Sequence, residues 1–219
     1  MEKQRFKQII MLKKGAEADL YLAEWHGLKV VIKKRAPKPY RITPLDFEIR
    51  RFRTIHEAQL IHSAKVAGVP TPVLYLIDAI NMEIIMSYIS GQLVKDVLDR
   101  VDEYKRFKIC SKIGKMIGAL HKNGIVHGDL TTSNMILTDS GEIFLIDFGL
   151  GNISGEVEER GVDLLLAKRA LQSTHINFAD ECFKVLRESY THVVGEKEAL
   201  PVFKRIKEIE LRGRYIPER

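Results

Sequence analysis

The stretch from Ile125 to Gly149, I-V-H-G-D-L-T-T-S-N-M-I-L-T-D-S-G-E-I-F-L-I-D-F-G, decides how this chain is read. It sets Asp129, Asn134 and Asp147 around a short strand–turn–strand pattern. Each residue type has a chemical task there. A carboxylate at the first position can accept or orient a hydroxyl proton, help worth about 10²–10⁴-fold in rate. The Asn amide oxygen and the second Asp are hard oxygen ligands, suited to Mg²⁺ where it bridges phosphates. A D-F-G triplet alone is a weak signal. The Asp129–Asn134 interval followed by D-F-G across a hairpin is a strong one.

Upstream, residues 6–12 and 18–24 suit two strands joined by K-K-G-A-E-A, and 28–33 a third, rich in β-branched residues and ending in V-V-I-K. Residues 45–67 hold no proline or glycine and read as a long helix, closed by Gly68 and the Pro70–Pro72 turn. Residues 73–77 and 83–86 add two short strands before Ser90-Gly91, a plausible hinge. Beyond it, 93–98 reads as a short helix. The next, over 102–121, buries the face carrying Phe107, Cys110, Ile113, Ile117 and Leu120. Asn123-Gly124 stops it. Further helices are expected near 159–172, 178–191 and 197–211. The class is α+β in two lobes: residues 1–89 with a small antiparallel sheet, and 90–219 mainly helical.

Lys33 closes the third strand where a cation for the α/β-phosphates of ATP is needed, and Glu57 on the long helix is the carboxylate expected to hold it, with Glu48 the alternative. The loop Gly15, Ala16, Glu17, Ala18 carries one glycine. By itself it would be an ordinary hairpin turn, and its place between the first two strands makes it a candidate phosphate cover. Met86, Ser87 and Ile89 fall where an adenine-binding segment should lie, with backbone groups of Ser87 and Ile89 pairing the base. His127 is expected to brace the loop around Asp129, and Asp163 to cap amides beneath it. The remaining histidines form no pattern in the sequence.

Composition fits a globular body. Apolar residues at 45% and charged residues at 29% are ordinary values for one. The two cysteines, Cys110 and Cys182, lie in helical apolar patterns and read as buried free thiols. The N-terminus lacks the apolar region of a signal peptide, no run approaches a spanning helix, and a cytoplasmic setting is expected. The +6 charge gathers in three clusters: Lys33, Lys34, Arg35, Lys38, Arg41; Arg50, Arg51, Arg53; and Lys204, Arg205, Lys207, Arg212, Arg214. One such cluster is commonly a solvated face. Three raise the prospect of a polyanionic partner.

K-R-A-P-K-P-Y-R (34–41), L-D (45–46), R-T-I-H-E-A (53–58), H-G-D-L-T-T-S-N (127–134) and I-D-F-G-L-G (146–151) together resemble the small atypical kinase subunit of the KEOPS complex, the PRPK-type family, over nearly the whole chain. The resemblance implies a two-lobed protein-kinase-like fold with a reduced helical lobe. It also implies a serine/threonine-type kinase or ATPase using ATP and Mg²⁺ in an assembly that makes threonylcarbamoyladenosine in tRNA. Carried onto this sequence, Lys33 and Glu57 hold phosphate, Asp129 is the catalytic carboxylate, and Asn134 and Asp147 hold Mg²⁺. The expected partners are KEOPS subunits, notably the threonylcarbamoyl-transferase subunit and the small regulatory subunit, with tRNA met by basic surfaces or the Arg212-Gly213-Arg214 tail. Two departures from ordinary protein kinases stand out. Thr131 replaces the lysine common two residues after the catalytic Asp. Only thirteen residues separate Gly149 from Asp163, without A-P-E, so no full activation segment can be built. The competing readings are a small-molecule kinase of the aminoglycoside or choline type, a RIO-type kinase, and a scaffold that never turns over ATP. The D-F-G, the P-K-x-Y-R element and the complete Lys33, Asp129, Asn134, Asp147 set argue against them in turn.

Overall fold

The structure, a computed structural model, describes residues 6–214. Its first part is a five-stranded antiparallel sheet in the order β1-β2-β3-β5-β4, built from β1 (Lys7–Lys13), β2 (Asp19–Trp25), β3 (Leu28–Lys34), β4 (Leu74–Asp78) and β5 (Glu83–Ser87). The β2–β3 hairpin turns on His26 and Gly27, both at positive φ (49° and 79°), the twist that a two-residue hairpin needs. Helix α1 (Thr43–Val66) crosses between β3 and β4 and has Pro44 in its first turn, where a missing N–H costs nothing.

A short strand β6 (Gln92–Leu93) and helix α2 (Val94–Val97) lead into α3 (Glu103–Lys122). Asp102 caps α3 by accepting from the Lys105 N–H at 2.8 Å, and Gly124 ends the turn after it at φ +68°. The decisive stretch forms β7 (Ile125–Val126), a 3-10 turn over Thr132–Asn134, and the hairpin β8 (Met135–Leu137) and β9 (Ile143–Leu145). Strand β6 joins that hairpin, and β10 (Asn152–Ile153) pairs antiparallel with β7. Helices α4 (Val157–Thr174), α5 (Ala179–Val194) and α6 (Glu196–Arg214) complete the chain.

Most of the buried apolar residues form one large cluster in the helical part, and two small ones line the sheet. The large cluster reaches up into α1 and takes in Leu60, Ile61 and Ala64. Helices α3 and α5 approach closely because Gly114 and Gly118 leave room: a Cβ at Gly114 would sit 2.2 Å from the Leu186 carbonyl oxygen. Cys110 and Cys182 are buried free thiols, as the sequence implies. Among the described residues no helix is long and apolar enough to cross a membrane.

Candidate active site

Strand β3 delivers Lys33 into the cleft between sheet and helices, where its ammonium donates to Glu57 Oε1 at 2.6 Å and to Asp147 Oδ1 at 2.7 Å. Glu57, on α1, is 1% exposed, and its second oxygen accepts from the Arg35 guanidinium at 2.9 Å. Glu48 lies on the exposed side of the same helix. Two cations and two carboxylates thus meet in one chain of ion pairs, three of the four side chains buried. Asp147 sits at φ +65°, a conformation worth about 1–3 kcal/mol of strain for a residue with a Cβ. It is held there by Lys33 and by the Gly149 N–H, which donates to Oδ1 at 3.3 Å. Burial of part of its carboxyl raises the Asp147 pKa, but the charge and hydrogen bond of Lys33 outweigh that and hold it below the usual carboxylate range.

The loop carrying Asp129 is fastened from beneath. Asp163 on α4, fully buried, accepts the N–H groups of His127 and Gly128, both at 2.9 Å. Gly128 is required at that place, since φ is +77° and a Cβ would fall 2.1 Å from the Leu150 carbonyl oxygen. His127 Nδ1 accepts the Asp129 N–H at 3.2 Å and its Nε2 donates to the Ile146 carbonyl at 3.3 Å. That pairing needs the neutral ring, and burial accordingly pushes the His127 pKa below its ordinary value. The Asn134 amide nitrogen donates to Asp129 Oδ2 at 2.8 Å and to the Asp129 carbonyl at 3.0 Å. With the nitrogen so engaged, the Asn134 oxygen is the end left for a cation. Asn134 and Asp147 offer the small set of hard oxygens with which Mg²⁺ is usually shared between protein and phosphates.

The cleft has two connected compartments. The inner, about 280 Å³, is walled mainly by Leu12, Leu20, Val31, Met86, Ile136 and Ile146, an apolar slot suited to a flat base. The Ser87 N–H is spent on the Val73 carbonyl at 2.8 Å and the Tyr88 N–H on Lys29 at 3.2 Å. Of the Ser87 backbone groups only the carbonyl is therefore left for a base, narrower than the sequence reading. Among the described residues, the Ile89 N–H has no partner. The outer compartment, about 230 Å³, is bounded by the loop 15–18, Lys33, Arg35, Arg53, Asp129 and Asp147. Its cover is tied down on both sides: Lys38 donates to the Ala16 carbonyl, and Arg53 on α1 pairs with Glu17.

Much of the first basic cluster is therefore spent inside the molecule. Lys33 and Arg35 are buried, Lys34 pairs with Glu83, Lys38 holds the loop, and Arg41 and Arg50 converge on Asp46. Burial works against the charge on Asp46, but the Arg50 hydrogen bond and its other partners keep its pKa below the ordinary value. In the tail, Arg205 and Arg212 reach Glu158 on α4, while the Arg214 side chain lies outside the described residues. Sequence reasoning missed two further supports of the Asp129 loop. His175 links Thr132 (3.1 Å) to Asp99 (2.7 Å), and His121 links Asp163 (3.2 Å) to Tyr190 (3.1 Å). Their partners are remote in sequence, so only the fold brings them together.

A model of the protein kinase domain matches residues 17–184. The match covers more than half of the chain, so the protein belongs to the protein kinase family. It is 44% identical over 211 residues to the KEOPS complex subunit Bud32 of Pyrococcus abyssi (strain GE5 / Orsay), covering 94% of this chain and 96% of that one. Against the EKC/KEOPS complex subunit bud32 of Dictyostelium discoideum the identity is 36%, over 94% and 82%. Within the kinase family, the chain belongs to the Bud32 group of KEOPS complex subunits. It is also 43% identical to a probable bifunctional tRNA threonylcarbamoyladenosine biosynthesis protein of Methanothermobacter thermautotrophicus, with 94% of this chain covered. It spans 36% of that longer relative.

Proposed function

We propose that the chain is an Mg-ATP-dependent phosphotransferase of the atypical serine/threonine kinase type, with ATPase activity, and that it serves in the cytoplasm as the kinase subunit of a KEOPS assembly supporting threonylcarbamoyladenosine modification of tRNA. The observation that carries this reading is the meeting of Lys33, Glu57 and Asp147 opposite Asp129 and Asn134, across a cleft with one apolar and one charged compartment. Its expected partners are the threonylcarbamoyl-transferase subunit, the small regulatory subunit and tRNA.

In this reading the inner slot takes adenine and the outer compartment the phosphates. Lys33 moves its charge from Asp147 to the α/β-phosphates while Glu57 keeps it aimed. Mg²⁺, held through Asn134 and Asp147, supplies charge neutralisation at the phosphates when bound. Asp129, its Oδ2 fixed by Asn134, takes the proton of an attacking hydroxyl. With water as acceptor, its oxygen bonds to the γ-phosphorus, the bond to the β–γ bridging oxygen breaks, and ADP and phosphate result. Water suits the geometry because only seven residues lie between Gly149 and the start of α4 at Val157, and two of them are held against β7. That leaves no platform for an extended peptide.

The test follows γ-labelled ATP with Mg²⁺, separating free phosphate from phosphoprotein, for the wild-type chain and Asp147→Ala, with and without the transferase subunit and tRNA. Free phosphate that depends on Asp147 and rises with partner and tRNA supports the reading. If neither labelled product depends on Asp147, the chain is a nucleotide-binding scaffold and the catalytic reading is lost.

A further inference from the structure

Helix α3 carries Lys105, Lys108, Lys112, Lys115 and Lys122, which no run of sequence groups together. At 3.6 residues per turn they fall within an arc of about 100°, in a row about 25 Å long. The opposite face of the helix is buried: Ile109, Ile113, Met116, Ile117 and Leu120 all belong to the large core. Lys105, Lys108, Lys115 and Lys122 are exposed. From Tyr104 to Lys122 the helix contains no Asp or Glu. Among the described residues none of the five lysines forms an ion pair, and Lys112 alone is engaged, with the Gly141 carbonyl. The other outer helices differ. Helices α4 and α6 interleave their charges through Arg160–Glu198, Lys168–Glu210 and Arg205–Glu158.

We propose that this lysine row is a docking surface for the phosphate backbone of RNA, an inference that rests on the reading of the chain as part of a tRNA-modifying assembly. Charge complementarity selects the occupant. Like cations about 4.5–6 Å apart from Lys105 to Lys115, with Lys122 about 10.5 Å further along the same rigid axis, can meet successive phosphates of a charged strand. An acidic protein segment would want apolar anchors at the centre of its interface, and the arc offers only Ala119 between the lysines. Lysines are point charges without the planar fork of arginine, so a row of them favours phosphates over any particular base. Tyr104, 78% exposed at the N-terminal end of the row, presents a ring on which an unpaired base can stack.

The experiment measures binding of an unmodified tRNA transcript to the full chain by fluorescence anisotropy over a series of KCl concentrations. Lys105→Gln/Lys108→Gln/Lys115→Gln/Lys122→Gln is set beside Lys204→Gln/Lys207→Gln on α6, and Lys112 is left in place because it supports the Gly141 turn. The slope of log affinity against log salt should fall by about 0.9 per duplex phosphate contact, hence by about 3 to 4 for the α3 variant. Mg-ATP hydrolysis, measured on the same samples, should be unchanged. An unaltered slope overturns the proposal, whether or not the α6 variant loses affinity, and so does a wild-type chain that binds no transcript at low salt. Polyglutamate that displaces the transcript at equal charge, and loses its own binding in the α3 variant, reassigns the row to an acidic protein. Loss of slope without Asp147-dependent hydrolysis keeps the RNA surface and removes the catalytic reading. Hydrolysis with an unaltered slope does the reverse.

Discussion

At the scale of single residues, the unexpected member of the site is Arg35. In the sequence it is one of several basic residues in a row, and nothing local marks it as buried. Its partner Glu57 lies twenty-two positions on, across the start of α1, so the pairing exists only once β3 and α1 are packed. Glu57 consequently has a second cation besides Lys33. Replacing Arg35 by Met strands one oxygen of a buried carboxylate, a loss of about 3–5 kcal/mol. Each kcal/mol lowers Tm by about 2–4 °C in a domain of this size, so the variant should melt clearly earlier. Arg35→Lys should recover part of the loss, and equal melting of wild type and Arg35→Met would show that the pair contributes nothing. His127 gives a pH dependence. Unfolded, its ring takes a proton as pH falls through about 6.5, while the buried folded ring stays neutral to lower pH. The unfolded state then binds more protons, so stability falls with acid below about pH 6.5. NMR of the His127 ring in the folded chain should show it taking up its proton at lower pH than a free imidazole. Protonation at the value of a free imidazole contradicts this.

At the scale of elements, the long ones were legible and the two-residue ones were not. The expected helices at 45–67 and 102–121 correspond to α1 and α3: the first is a run without proline or glycine, the second carries a periodic apolar face, and each is followed by a glycine stop. The segment 93–98 shrinks to the single turn of α2 after β6. Strands β7 and β10 leave no trace in the sequence, since two residues show no alternation and their pairing is tertiary. The glycines of α3 belong to this scale too. On propensity alone Gly114→Ala should help the helix by about 1 kcal/mol. The α5 backbone stands where the new methyl would go, and overpacking of that kind costs about 1–3 kcal/mol or more. The net expectation is destabilisation, read as a lower urea midpoint with an unchanged slope. A higher midpoint would mean that α3 and α5 yield easily.

At the scale of the whole molecule, the order of strands and helices was legible because each lobe is assembled from neighbours in sequence. The core they share was not, because amphipathic patterning tells which face of α1 is buried but not against what. The sheet's own clusters are small, whereas Leu60, Ile61 and Ala64, in the two turns after Glu57, are set among the helices below. Helix α1 therefore works as a tie-bar: Ala58 packs against Ile84 and Met86 of the sheet, while the turns that follow enter the helical core. Glu57 stands at that joint, so the 2.6 Å between Lys33 and Glu57 registers how sheet and helices are set against each other.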